Sequence, residues 1–153
     1  MNIINLQGKT RPLTGRIEYY WFENENIGLV RTRFHRVVIP FEPFDSGLEY
    51  VDQPESTELV VEWAKLNLDD PSNLDGVDLS MNRIEGIEAT IYLGAAHNWT
   101  RLERFKLTKT EGGFHVSCIA VIEFENEGVG KNEMLEFEAN VVYSGEYQVM
   151  GRT

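Results

Sequence analysis

The amino-acid sequence predicts a mainly β protein, built as an antiparallel β-sandwich or an open β-barrel of about eight strands. Apolar and polar residues alternate over several segments, glycine-containing turns separate these segments, and the strand–helix alternation of a parallel sheet is missing. At most one or two short helices are expected. The 153 residues match the size of a single domain, and we expect residues 1–16 and 144–153 to be loosely held.

The first two predicted strands are rich in aromatic and β-branched residues, which favour a pleated sheet. They cover residues 17–22 and residues 27–41, with a polar turn between them. Residues 19–22 are all aromatic, so alternation places two rings on each face of the first strand. Either a two-layer core covers both faces or one aromatic pair is left for a partner.

Residues 57–68 fit two kinds of structure. Leu59, Trp63 and Leu66 have helical spacing, whereas the neighbouring Val60 and Val61 favour a strand. We favour the strand because the rest of the chain consists of strands. The flanking segments are rich in Pro, Gly and Asp and predict long loops, at residues 42–56 and 69–78.

The second half of the chain has the clearest strand pattern. A hairpin turn is predicted at Gly112 and Gly113, because glycine supplies the positive φ that tight turns need. Phe137 and Val141 share one face of the most regular strand and are expected in the core. The predicted strands are residues 87–93, 99–110, 114–123 and 135–143.

The charge is strongly negative and unevenly distributed. The formal net charge is −11, and residues 41–100 alone hold thirteen acidic side chains against Lys65 and Arg83. Such a field repels nucleic acid and anionic lipid and attracts basic proteins. We therefore expect a basic protein partner, and neither nucleic acid nor membrane as a partner; simple solubility is the alternative explanation.

Composition also predicts where the protein acts. Cys118 is the single cysteine and lies among apolar residues, so it forms no intrachain disulfide and is expected to be a buried thiol. No apolar run reaches the roughly 18 residues of a membrane span. The first residues lack the basic and apolar regions of a signal peptide. A cytoplasmic location is expected.

No motif in the chain predicts catalysis. Phosphate-binding glycine motifs and metal-binding histidine spacings are missing, and one cysteine excludes thiolate zinc sites. Residues 69–76 resemble a calcium loop only faintly, because Pro71 and Asn82 take the places of two essential ligands. We therefore predict no catalytic residue, cofactor or metal.

One acidic feature is more specific. Glu123 and Glu125 end one predicted strand, and Glu136 and Glu138 begin the outward face of the next. If these strands form a hairpin, the carboxylates approach one another, which destabilises a sheet. A basic partner, nearby Lys and Arg side chains, or a glycosidase-like carboxylate pair would each explain such an arrangement.

These observations favour a non-catalytic cytoplasmic protein whose acidic surface neutralises or holds a basic protein. One alternative is a small-ligand carrier or enzyme on a β-barrel, in which Arg31, Arg33 or His35 would face the interior. Another is a structural or assembly subunit. The candidate partner-binding residues are Tyr50, Trp63, Asp69, Asp70, Asp75, Asp78, Glu136 and Glu138.

In its small size, acidity and mainly β pattern, the chain resembles the immunity proteins of bacterial polymorphic toxins. The resemblance lies in composition and fold class, and no sequence motif carries it. It implies a cognate toxin as the basic partner, with the acidic protein covering the active site or the substrate-binding surface of that toxin. It assigns no role to any individual residue.

Overall fold

The computed structural model describes residues 2–148, in which seven strands form a closed barrel in chain order. The mainly β prediction is confirmed, but the expected sandwich or open barrel of about eight strands is not, because the sheet closes on itself with seven. One short helix, α1 (Leu6–Lys9), precedes the barrel. The strands are β1 (Gly15–Asn24), β2 (Leu29–Pro40), β3 (Glu58–Ala64), β4 (Glu88–Leu93), β5 (Ala96–Thr110), β6 (Gly113–Ile122) and β7 (Glu133–Glu146), with 3₁₀ turns at Glu25–Ile27 and Phe124–Glu127.

The barrel closes through a parallel pairing of its first and last strands. Gly15 pairs with Val141, and Ile17 pairs with Tyr143, whereas every other neighbouring pair of strands is antiparallel. Closure leaves the paired part of the sheet without an open edge. Local sequence patterns do not show this pairing, because its two partners lie at opposite ends of the chain.

The barrel interior is filled by alternate side chains of all seven strands. Phe105 and Leu107 of β5 are fully buried. Phe137 and Val141 have exposed fractions of only 8% and 1%, which confirms that they belong to the core. Phe137 meets Phe41 edge-to-face with 5.5 Å between ring centroids, an arrangement that adds to the energy of burial.

Strand β3 contains a bulge, which turns Trp63 from the inward side that simple alternation predicts to the outward side. The strand interpretation of this segment is confirmed for Glu58–Ala64. Val37 pairs with Val61 and His35 pairs with Ala64, so β3 carries one residue more than β2 between these pairs. Trp63 lies within the bulge at φ 64°, in the left-handed region.

The amino-terminal segment, expected to be loose, packs against the barrel. Ile4 and Leu6 are fully buried. The side chain of Gln7 accepts a hydrogen bond from the backbone N–H of Glu136 at 2.7 Å and donates one to its carbonyl at 2.8 Å. At the other end, β7 continues to Glu146; Met1 and residues 149–153 lie outside the described residues.

The predicted loop at residues 69–78 is attached to the barrel and is not freely solvated. Leu74 and Leu79 are fully buried. The N–H of Leu79 donates to the carbonyl of Phe105 at 2.7 Å, and the N–H of Leu107 donates to the carbonyl of Val77 at 2.9 Å. The segment therefore covers the edge of β5 beyond its pairing with β4.

Within residues 2–148, no helix is long and apolar enough to cross a membrane.

Candidate docking surface on the outer face of strands β1 to β5

A row of charged side chains crosses the outer face of the barrel from β1 to β4. Glu18 pairs with Arg36 across β1 and β2, and Glu62 pairs with Glu88 across β3 and β4. The Nε of Arg36 donates to Oε1 of Glu62 at 2.6 Å and joins the two pairs. We call Glu18, Arg36, Glu62 and Glu88 the acidic row.

The acidic row has three carboxylates and a single cation within it. Arg36 Nη1 also contacts Oε1 of Glu18 at 3.0 Å, and Arg16 Nε contacts the other oxygen of Glu18 at 3.3 Å. Burial acts against the positive charge of Arg36, but Glu62 and Glu18 outweigh it and raise the pKa of Arg36. In residues 2–148, Glu88 is exposed and forms no salt bridge.

Tyr20 of β1 also fixes the position of Glu62, through the carboxylate oxygen that Arg36 does not contact. Its hydroxyl donates to Oε2 of Glu62 at 3.0 Å. Burial and the charge of Glu62 raise the pKa of Tyr20, so it remains a neutral donor. Glu62 is thus held in one orientation, directly opposite Glu88.

An aromatic cluster flanks the acidic row on the side of the β1–β2 hairpin. Trp63 meets three rings edge-to-face, at centroid distances of 5.9 Å to Tyr20, 5.0 Å to Phe22 and 5.3 Å to Phe34. The β3 bulge makes this possible, because it directs Trp63 outward beside Glu62. Trp63 remains half-buried, so it presents part of its ring to the surface from a fixed position.

Two further aromatic side chains flank the acidic row on the side of the β4–β5 turn. Tyr92 is 48% exposed and Trp99 is 38% exposed. Trp99 pairs with Thr90, which follows Glu88 on the same face of β4. The ring of Tyr92 lies 4.7 Å from that of His97, between centroids. Carboxylates and exposed aromatic rings therefore lie side by side on this face.

Two of the predicted partner-binding residues lie at or near this surface. Trp63 lies in the aromatic cluster just described. Tyr50 is 61% exposed, and its hydroxyl donates to the carbonyl of Gly94 at 3.2 Å, in the turn between β4 and β5. The hydrogen bond places Tyr50 beside the end of β4 that carries Tyr92.

Three of the four predicted aspartates in the 69–78 loop are used within the chain. Asp70 accepts from the N–H and hydroxyl of Ser72 at 2.9 Å and 2.7 Å, and these bonds lower the pKa of Asp70. Asp75 accepts from the backbone N–H of Lys109 at 2.8 Å. Asp69 is exposed, with no side-chain hydrogen bond in the part of the chain that the structure describes.

Asp78 stabilises the turn that leads into the β5 edge. It accepts from the N–H of Ser80 at 2.9 Å and from the Ser80 hydroxyl. Burial opposes the charge of Asp78, but the bonds from Ser80 outweigh burial and lower the pKa of this carboxyl. Of the four loop aspartates, Asp69 is therefore the one whose replacement we expect to leave folding unchanged.

Glu136 and Glu138 do not share a surface with β3. They project outward from β7, which is separated from β3 by two strands in one direction around the barrel and by three in the other. Glu138 lies 3.1 Å from Nε2 of His115. Across β6, Glu136 is aligned with Arg104 and Glu138 with Lys106, so β5 supplies the nearby basic side chains.

The expected cluster of four carboxylates around the β6–β7 connection does not form. Glu123 lies 3.6 Å from Nη1 of Arg101. The carboxylate of Glu125 accepts the N–H of Asn132 at 3.0 Å. Among residues 2–148 there is no group of three or more His, Cys, Asp or Glu side chains that could hold a metal ion.

The sequence interpretation did not single out Glu88, Tyr92 and Trp99. Glu88 and Tyr92 occupy alternate, outward positions of a predicted strand, and this signal was available. Their proximity to Glu62 and Trp99 depends on strand register, which the sequence does not show. Comparison of the chain with protein-family models, curated proteins and solved structures finds no match.

Proposed function

We propose that this protein is a non-catalytic binding protein that holds a basic protein partner against the outer face of β3 and β4. The observation that carries the proposal is the direct cross-strand pairing of Glu62 with Glu88. Like charges in this arrangement destabilise a sheet. A lysine or arginine of a partner, placed beside Glu88, would remove that repulsion.

The surroundings of the pair fit a protein interface. Glu58 adds an exposed carboxylate on the outward face of β3, beside the half-buried Glu62. Tyr92 and Trp99 supply exposed aromatic area of the kind that anchors protein partners. In such an interface the carboxylates accelerate association, and the aromatic side chains slow dissociation.

A toxin of the polymorphic class is one partner that meets this description, and a cytoplasmic setting belongs to the same proposal. The size, the net charge of −11 and the mainly β fold support it. Asp69, which is exposed at the barrel end, would add to the attractive field without making a contact of its own.

The test compares two double variants that remove equal charge. Glu58→Gln with Glu88→Gln neutralises the proposed face, and Glu136→Gln with Glu138→Gln is the matched control on β7. Each variant is used to capture partners from the native host, and the association rate of a captured basic protein is measured by surface plasmon resonance at several salt concentrations. We expect slower association and a weaker salt dependence for the first variant only. Equal effects of both variants would contradict the proposed face.

The ligand-carrier alternative is favoured by one observation. Arg33 and His35 occupy inward positions of β2, as a polar interior would require. However, Arg33 donates to the carbonyl of Leu68, and His35 Nε2 lies 2.8 Å from the carbonyl of Pro71. The protein's own loop therefore covers this end of the barrel. Native mass spectrometry of protein purified from its host would detect a retained ligand, and light scattering would detect the ring or filament of an assembly subunit.

A further inference from the structure

The β1–β2 hairpin extends beyond the wall of the barrel. Strand β3 pairs with β2 only from His35 to Pro40, and β7 pairs with β1 only as far as Tyr19. Residues 20–24 and 29–34 therefore form a two-stranded extension. Its inward face continues the row of core residues with Trp21, Arg33 and Arg31.

Cations and aromatic rings alternate along this inward face. The guanidinium carbon of Arg31 lies 5.0 Å from the ring centroid of Trp21. That of Arg33 lies 5.7 Å from Trp21 and 5.9 Å from Tyr19, and Tyr19 stacks on Tyr143 at 6.4 Å. We call these five residues the cation–π ladder. The distances are those of attractive cation–π contacts, which hold a guanidinium in place.

The two arginines of the ladder form no salt bridge in the part of the chain that the structure describes. The chain has 25 acidic residues and only 14 basic ones, so a carboxylate partner would be expected for most arginines. Arg33 donates one hydrogen bond, to the carbonyl of Leu68, and Arg31 is exposed. A guanidinium has five N–H donors at its edges, and stacking on a ring uses only its face. The charge of Asp70 interacts with Arg33 without forming a salt bridge, so the donors of Arg31 are the ones most available to an anion.

We propose that the cation–π ladder binds an acidic polypeptide segment, with carboxylates paired to Arg31 and Arg33. Carboxylates match the forked donors of arginine. The turn at the tip of the same hairpin exposes Ile27, at 72%, and a segment that alternates acidic with apolar side chains could contact Ile27 as well as the arginines.

This site differs from the proposed docking surface in position and in charge. The ladder faces inward on β1 and β2, whereas Glu58 and Glu88 face outward on β3 and β4. A partner of the opposite charge is required at each. The two proposals therefore assign two chemically different segments to separate surfaces of the barrel.

The test uses a blocked hexapeptide of alternating Glu and Leu as the probe. Its titration is followed through the indole N–H signals of Trp21, Trp63 and Trp99 in nuclear magnetic resonance spectra of the full chain. We expect the Trp21 signal to shift and the other two to stay in place. Arg31→Gln should weaken binding about tenfold, the loss of one or two charge-assisted hydrogen bonds. Arg104→Gln, which removes an exposed cation of β5, should leave the affinity unchanged.

Four outcomes would overturn the proposal. The first is equal affinity for the Arg31→Gln variant, and the second is equal binding of a peptide with Gln in place of Glu. The third is an identical response to inorganic phosphate, which would indicate a site for small anions. The fourth is an Arg31-dependent dimer in analytical ultracentrifugation, which would make a second copy of the chain the occupant. Glu58→Gln with Glu88→Gln should bind the peptide normally, so failure here is distinct from failure of the proposed docking surface.

Discussion

Glu62 and Glu88 face each other directly across strands β3 and β4, and only Glu62 is paired with a cation. Arg36 and Tyr20 hold Glu62 from the β2 side, so the repulsion is not relieved by a rotation of its carboxylate. Like charges at paired positions destabilise a sheet, and the β3–β4 pairing around these two residues is otherwise regular.

Glu88→Gln should therefore stabilise the isolated protein. We expect the free energy of unfolding to rise by about 0.5 kcal/mol, within the range of cross-strand pair energies. Urea denaturation at low salt measures it, and the gain should shrink at high salt because the repulsion is screened. Glu136→Gln is the control, since Glu136 lies opposite the apolar Ile119. If both variants gained the same free energy of unfolding, the cause would be the lower net charge and not the pairing of Glu62 with Glu88.

Phe137→Ala should destabilise the barrel by about 3–5 kcal/mol, the range for truncation of a buried aromatic side chain. The ring is buried and contacts Phe41 across the interior. Urea denaturation measures the loss. Val142→Ala is the control, because it truncates an outward side chain of the same strand that is 44% exposed. It should change the free energy of unfolding little. A loss near zero for Phe137→Ala would be inconsistent with its place in the core.

His35 should make stability depend on pH between pH 7 and pH 5. Burial lowers the pKa of His35, and the charge of Arg33 acts in the same direction, although the carbonyl of Pro71 opposes both. The unfolded chain binds a proton at His35 below about pH 6.5, whereas the folded chain resists it. The free energy of unfolding should therefore fall as the pH decreases through this range.

The variant His35→Gln should show a weaker pH dependence, and His97→Gln, at an exposed position, should resemble the unmodified protein. Chemical denaturation at several pH values measures both slopes. Equal slopes for all three proteins would mean that His35 takes up its proton in the folded state.

The Cys118 thiol should be inert in the folded protein. It is 1% exposed, and burial raises its pKa to about 12. A thiolate-selective reagent at pH 8 should react at a rate that follows unfolding and rises with urea. Rapid labelling without denaturant would show that β6 opens locally.

The strands of this fold could be predicted from the sequence because their signal is local. Alternation identified β4 to β7. Gly112 lies in the turn before β6 as expected, but neither Gly112 nor Gly113 has the positive φ on which that expectation rested. Closure of the barrel could not be predicted in this way. The parallel pairing of Ile17 with Tyr143 joins segments that are remote in sequence, and no local pattern encodes it.

The candidate site was predicted less well, for two physical reasons. The bulge at Trp63 shifts the inward and outward pattern of β3 by one residue, and a period-2 interpretation does not detect such a shift. In addition, acidic residues were grouped by their position in the chain. Asp75 and Asp78 form hydrogen bonds that stabilise the loop, whereas Glu62 and Glu88 meet only through strand register.

The pairing of β1 with β7 has a consequence for synthesis on the ribosome. While the nascent chain grows, β1 emerges first, and its partner on one side is the last strand to appear. Until β7 is synthesised, the N–H and C=O groups of residues 15–19 that face it remain unpaired or pair with another chain. A truncated product that ends before β7 would keep this edge permanently open. Premature termination should therefore yield a species that aggregates. Pairing of β7 with β1 removes the open edge and so prevents such intermolecular pairing.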